Sequence, residues 1–306
     1  PLARLGLNGR SFVPLLSGYA CAIPAMLAAR TIPNRKERLL TLFIIPLMSC
    51  SARLPVYSLL LAFIFWGQPA WKPGIALAGL YLLSLLIGAV AAALLNRLIP
   101  TGEISFFMME LPLYRRPALR AVFQNVFLKT YSYLSKAGLA IFVFASALWA
   151  LTTFPSYQAP TAFEKFQKSY AAQIGHVINP LMQPMGGDWR TGVALVSAFA
   201  AREVFVSSLG LVLQVSEAEK PERQTSLLGA MQTAKREDGS PLFTPASCAG
   251  LVLFFLVALQ CMSTVAVARR EFGSWKLPLL QLAIFNLAAY GLAVGVVQGL
   301  RVLGIP

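Results

Sequence analysis

The sequence predicts an all-α, polytopic helical membrane protein with discontinuous or re-entrant gate helices. Three observations carry this. Hydrophobic residues make up 57% of the 306-residue chain and charged residues only 12%, about half the roughly 25% of a soluble domain. Apolar runs near 20 residues, the length a spanning helix needs, recur along it. Prolines and polar residues interrupt several of those runs. This composition excludes disorder, which needs low hydrophobicity and high charge, and a soluble enzyme with an ordinary polar surface.

The apolar runs are 11–29, 39–66, 74–96, 137–153, 191–213, 249–268 and 277–300. The 137–153 run is short, and Tyr131 and Tyr133 extend it toward the headgroup level. Lys+Arg outnumber Asp+Glu by 26 to 12, a net charge of +14. The basic residues cluster between apolar runs, at 30–38, 97–136 and 269–276. That is the pattern of retained cytoplasmic loops rather than of nucleic-acid binding. The 67–73 loop, with only Lys72, is expected outside. If every later run crossed once, 269–276 would end outside, against its charge. One segment must therefore be re-entrant, or 171–185 must dip into the membrane. The run 191–213 is the favoured one, because Arg202 and Glu203 lie near its middle.

Two connections need separate reading. In 97–136, Pro112 and Pro117 precede interleaved apolar and basic residues. This fits an amphipathic helix at the cytoplasmic interface and equally a helical lead-in to the next span. Residues 214–248 contain VSEAEKPERQ and KREDGSP and read as a loop. A weak internal echo joins ARLPVYSLL (52–60) to AREVFVSSL (201–209), with four of nine positions identical.

Four segments depart from plain lipid-facing helix. In SGYACAIPAM, Pro14 and Pro24 bracket Cys21. Proline removes a backbone donor, and inside a bilayer the carbonyls so released need a partner, an ion path or another group. PLMSCSARLPVY holds Met48, Ser49, Cys50, Arg53 and Pro55. A mid-span arginine must be paired or face water, and two prolines in one span suggest the broken helix of a transporter site. In FAAREVFVSS, Arg202 and Glu203 point about 100° apart on a helix, so at least one faces the protein interior. Glu203 suits a divalent cation or a proton and equally a structural bridge to Arg53. ALQCMSTVA holds Cys261, Met262 and Ser263, with soft sulfur ligands preferred by Cu(I) and acceptable to borderline Fe(II) and Zn(II); the plain alternative is packing. Cys248 reads as packing and His176 as a surface or capping residue. Met182, Met185 and Asp188 read as packing and turn residues.

No phosphate-binding loop, dinucleotide fingerprint or closed zinc motif occurs, and no credible Ser-His-Asp arrangement forms around the lone His176. The chain starts at Pro1 without a signal peptide, so it reads as part of a longer protein.

The ordered set SFVPLLSGYACAIPAMLAARTIPNRKERLLT, PLMSCSARLPVYSLL, MELPLYRRP, SKAGLAIF, AREVFVSSLG and LQCMSTVAVARREFGSWK resembles the membrane half of the bacterial ferrous iron transport protein B family, FeoB. The likeness runs from about residue 4 to 300. It implies multi-pass residence in the bacterial inner membrane and transport of Fe(II), not enzymatic activity in this chain. GTP and Mg would enter only through an N-terminal GTPase domain that these residues do not include. It implies two gate modules, 1–153 (with 97–136) and 154–306. It also implies the lipid bilayer, that GTPase domain and small Feo accessory proteins as partners, with a homo-oligomer open and no nucleic acid. The family's pathway cysteines fall on Cys21, Cys50 and Cys261, and its acidic motif residues on Glu110 and Glu203. Met48, Ser49, Met262 and Ser263 stand as secondary pathway residues. Pro24, Arg53, Pro55, Glu110 and Arg202 stand as structural or gating residues. Two positions depart from the family: Ala22 stands where it reads Asn, and Gln260 precedes Cys261 where it reads Pro. Another metal such as Zn(II) or Mn(II), a nucleoside, or a non-transporting scaffold or sensor remain open for the same architecture.

Overall fold

The computed structural model describes residues 7, 9–98, 118–154, 169–199, 202–213, 220–236, 239–259 and 261–304. These residues form α-helices joined by short turns, with one isolated bridge between Lys235 and Pro241. In order they are α1 (Phe12–Gly18), α2 (Ala22–Ala28), α3 (Arg35–Ile44), α4 (Leu54–Ile64), α5 (Trp71–Leu98), α6 (Leu119–Thr153) and α7 (Tyr170–Met182). Then come α8 (Trp189–Ser197), α9 (Val204–Val212), α10 (Lys220–Thr233), α11 (Pro245–Val257), α12 (Met262–Phe272) and α13 (Lys276–Val302).

Four helical stretches are long and apolar enough to cross a membrane: Arg35–Ile64, Trp71–Leu98, Pro245–Phe272 and Lys276–Val302. They match the expected runs 39–66, 74–96, 249–268 and 277–300. Helix α5 turns Leu80, Ser84, Gly88 and Ala92 inward at four-residue spacing. Its other faces expose Ile75, Leu82, Leu86 and Leu94, as a helix bathed in hydrocarbon does. Trp66 and Trp71 are exposed at the α4–α5 turn, where aromatic rings favour the headgroup level.

The other expected runs take different forms. Run 11–29 is two seven-residue helices. Run 191–213 is two nine-residue helices, the broken form that its charged pair suggested. Run 137–153 continues a single 35-residue helix beginning at Leu119, so residues 119–136 are its helical lead-in. The loop expected over 214–248 needs correction. Lys220–Thr233 is helical because Leu227, Leu228 and Met231, spaced one turn apart, are buried in the core. Helix α10 packs against α4 there.

Helix α11 is the axis of the packing, buried along most of its length. It lies along α13 and against α4, and Phe255 meets Phe205 of α9 edge-on with ring centroids 4.8 Å apart. Small residues allow the α11–α13 approach, as is usual between membrane helices. A side chain at Gly250 would collide with Val297 and lie 3.3 Å from the Ala293 carbonyl. Gly250→Val is therefore expected to destabilise the fold by about 1–3 kcal/mol, read as a lowered unfolding midpoint in detergent.

At one end of the bundle Arg30, just after α2, holds Glu271 in α12, with Arg30 Nη2 2.6 Å from Glu271 Oε1. The hydrogen bond to Glu271, with the carboxylate's charge, raises the Arg30 guanidinium above its ordinary value. Arg30 is largely solvent-facing, so Glu271→Gln is expected to cost no more than about 1 kcal/mol, and less at high salt.

Candidate metal pathway at four helix breaks

Four breaks interrupt the helices: 19–21 between α1 and α2, 45–53 between α3 and α4, 198–203 between α8 and α9, and 258–261 between α11 and α12. Proline and extended backbone mark three of them. Cys21 is extended at φ −158°, and Pro24 sits in the first turn of α2, where its missing N–H costs little. Pro46 cannot donate to Leu42, and α3 stops two residues before it. Pro55 opens α4. Cys261 is extended before α12.

The three candidate cysteines occupy similar positions at helix starts. Cys21 caps α2, Cys50 precedes the turn that opens α4, and Cys261 caps α12. All three are half-buried thiols, whereas Cys248 is fully buried within α11.

The breaks are bonded to one another. Ser51 Oγ donates to the Ala20 carbonyl at 2.9 Å, joining the first break to the second. The Met262 N–H donates to the Phe199 carbonyl at 3.1 Å, joining the fourth to the third. Arg202 joins three breaks: Nη2 donates to the Ala258 carbonyl at 3.2 Å and Nη1 reaches Cys50 Sγ at 3.9 Å. Arg53, fully buried, donates through Nη1 to the Leu256 carbonyl at 2.9 Å and through Nη2 to the Pro46 carbonyl at 3.1 Å.

The internal echo thus has a structural meaning. Arg53 and Arg202 each follow a break, each precede a helix, and each donate to carbonyls at the end of α11. Cations are favoured at a helix C-terminus, where the macrodipole is negative. Among the described residues neither forms an ion pair with a carboxylate. The bridge considered between Glu203 and Arg53 is therefore absent: Glu203 is exposed at the start of α9, and its neighbour Arg202 is the one facing inward.

The remaining expected residues distribute as follows. Ser49 is buried between Arg53 Nη1, at 3.4 Å, and the Tyr57 hydroxyl, at 3.4 Å. Ser263 Oγ lies 2.9 Å from Cys261 Sγ. Met48 is buried against α1 and α5 beside Gly18 and Gly88, a packing position. Met262 is half-buried beside Cys261 and Pro55 half-buried in the first turn of α4, while Pro24 is exposed. Glu110 lies outside the described residues. His176 stacks on Trp189, centroids 4.7 Å apart, a surface role. Among the described residues no three His, Cys, Asp or Glu side chains come close enough to share a metal ion. Among the described residues these thiols stand apart rather than in one metal-binding cluster.

Two residues escaped sequence reasoning. Gln281 Nε2 donates to the Phe43 carbonyl at 2.8 Å and Asn286 Nδ2 to the Leu259 carbonyl at 3.1 Å. Helix α13 thereby caps the ends of both α3 and α11. Their signal was present: they are two of the three amides inside the apolar run 277–300.

Paired short helices, buried arginines at their breaks and apolar outer faces define a polytopic membrane protein of gate architecture. The family described as nucleoside recognition (Gate) matches residues 1–64 and 134–275, and that described as ferrous iron transport protein B C terminus matches 77–129. The chain belongs to the FeoB family, as its C-terminal membrane part. It is 37% identical to the Fe(2+) transporter FeoB of Leptospira biflexa, over 99% of this chain and 44% of that protein. The FeoB of Staphylococcus aureus is 34% identical over 93% of this chain and 40% of its own length. A Porphyromonas gingivalis Fe(2+) transport protein A/FeoB fusion is 33% identical over 89% of this chain and 36% of its own. The chain thus spans less than half of these relatives. No solved structure matches.

Proposed function

We propose that this chain carries Fe(II) across the bacterial inner membrane, as the membrane part of a GTPase-linked transporter. The observation that carries the reading is the placement of Cys21, Cys50 and Cys261 at three helix breaks that backbone and arginine contacts tie together. Thiolate sulfur suits borderline Fe(II) and is a poor ligand for hard cations. Separate, incomplete stations suit passage, because a closed cage would trap the ion. Met262 and Ser263 stand beside the Cys261 station, Ser49 beside Cys50, and Glu203 offers an oxygen ligand at an exposed end of the path.

The two gate modules are residues 1–153 and 154–306. Arg53 and Arg202 occupy equivalent places in them, which supports a repeat. GTP and Mg belong to a further domain, which would act on the basic 30–38 and 97–136 segments. The Porphyromonas fusion supports a small Feo accessory protein as a partner. The test is anaerobic Fe(II) uptake by the full-length protein in liposomes, with Zn(II), Mn(II) and a nucleoside as competitors. Saturable Fe(II) uptake that Zn(II) and Mn(II) inhibit only weakly is expected. Uptake of a nucleoside in place of metal would overturn the reading.

A further inference from the structure

We infer that Arg202 is the charge barrier of the path, a cationic plug that must leave Cys50 before a divalent ion can occupy it. This rests on the reading of the breaks as a metal path and names what closes it. Arg202 is 5% exposed, and among the described residues no carboxylate neutralises it. Its Nη1 stands 3.9 Å from Cys50 Sγ, while Nη2 is anchored on the Ala258 carbonyl at 3.2 Å. A metal–thiolate bond is only about 2.3 Å long, so an ion on that sulfur would lie within a few ångströms of a buried positive charge. Like charges at that separation, away from water, repel strongly, and an arginine in a pore is a known means of excluding cations.

The same contacts show how the plug could be released. Both groups that hold the guanidinium sit on breaks, Cys50 between α3 and α4 and Ala258 between α11 and α12. A small separation of those breaks removes both bonds together. Nε is buried without a partner in Arg202 and in Arg53 alike, so each guanidinium is held from its tip. Arg53 is held by more contacts: Nη1 and Nη2 together reach the Leu256 and Pro46 carbonyls, and its side chain is wholly enclosed. Of the two related arginines, one ties the fold and the other blocks the sulfur.

The test compares Arg202→Gln with the natural full-length protein in liposomes, and reads two quantities. The first is Fe(II) leak without GTP, expected to rise by about tenfold or more once the local field is removed. The second is the labelling of Cys50, quantified by mass spectrometry, with a cationic and a neutral thiosulfonate of equal size. The cationic-to-neutral ratio is expected to rise by about tenfold, whereas mere loosening of the structure raises both rates and leaves the ratio alone. Arg202→Lys keeps the charge and should keep the ratio low. If Arg202→Gln is not recovered folded, Arg202→Met replaces it. An unchanged ratio overturns the proposal whatever the iron flux does. A raised ratio in a protein that carries no Fe(II) upholds the barrier and removes iron as its cargo.

Discussion

Arg53→Met is expected to be the most damaging single substitution in this chain. The straight side chain fills the space but donates nothing. The Leu256 and Pro46 carbonyls, which accept from Arg53 at 2.9 and 3.1 Å, would be left bare in a buried site. Each unsatisfied buried carbonyl costs about 1–3 kcal/mol, so the loss is roughly 2–6 kcal/mol, comparable to the whole stability of many domains. Ser49 loses its charged neighbour as well. Lysine offers one compact ammonium in place of a planar fork, so Arg53→Lys should recover only part of the loss. Thermal unfolding of the purified protein in detergent, alongside membrane yield, measures both variants. An Arg53→Met protein with an unchanged midpoint would show that Arg53 does not hold α4 to the end of α11.

Removing the sulfurs is expected to act on flux and leave stability nearly untouched. Cys50→Ala should lower Fe(II) uptake by roughly ten- to a hundredfold, the scale on which losing even an outer partner weakens a metal site. Cys261→Ala should act similarly, since its sulfur sits at an equivalent cap, and Cys21→Ala likewise. Cys248→Ala is the internal control: it lies in the wall of α11, so it should lower stability slightly and leave flux intact. Loss of flux only in Cys248→Ala, with the other three unaffected, would reverse the assignment.

Much of the architecture was legible because membranes punish exceptions. Pro46 and Pro55 marked a helix break in apolar surroundings, and Pro14 and Pro24 marked another around Cys21; breaks stand at both places. Arg202 beside Glu203 announced that 191–213 could not be a plain span. What pattern could not supply was direction and partnership. Sequence placed two opposite charges side by side, but only the structure shows Arg202 buried and Glu203 exposed. Met48 looked like a ligand because it adjoins Ser49 and Cys50, yet glycines at positions 18 and 88 make a slot for it. The α10 helix was hidden by its charged first turn, since Leu227, Leu228 and Met231 form too short an apolar pattern to outweigh KPERQ. Gln281 and Asn286 were hidden by a different effect: isolated amides in a long apolar run look tolerable until their carbonyl partners are known.

Those amides bear on which ions the path refuses. Helix breaks usually expose bare backbone oxygens, and such oxygens can replace the water around sodium, potassium or magnesium. Here six of them, in or beside the breaks, already accept a hydrogen bond. Ala20 is taken by Ser51, Phe43 by Gln281, Leu256 by Arg53, Ala258 by Arg202, Leu259 by Asn286 and Phe199 by a backbone N–H. An abundant hard cation reaching this region therefore has little in exchange for its hydration shell. A scarce, sulfur-tolerant one has three thiols. On the proposed path, rejection of the commonplace ions follows from the way the broken helices were mended.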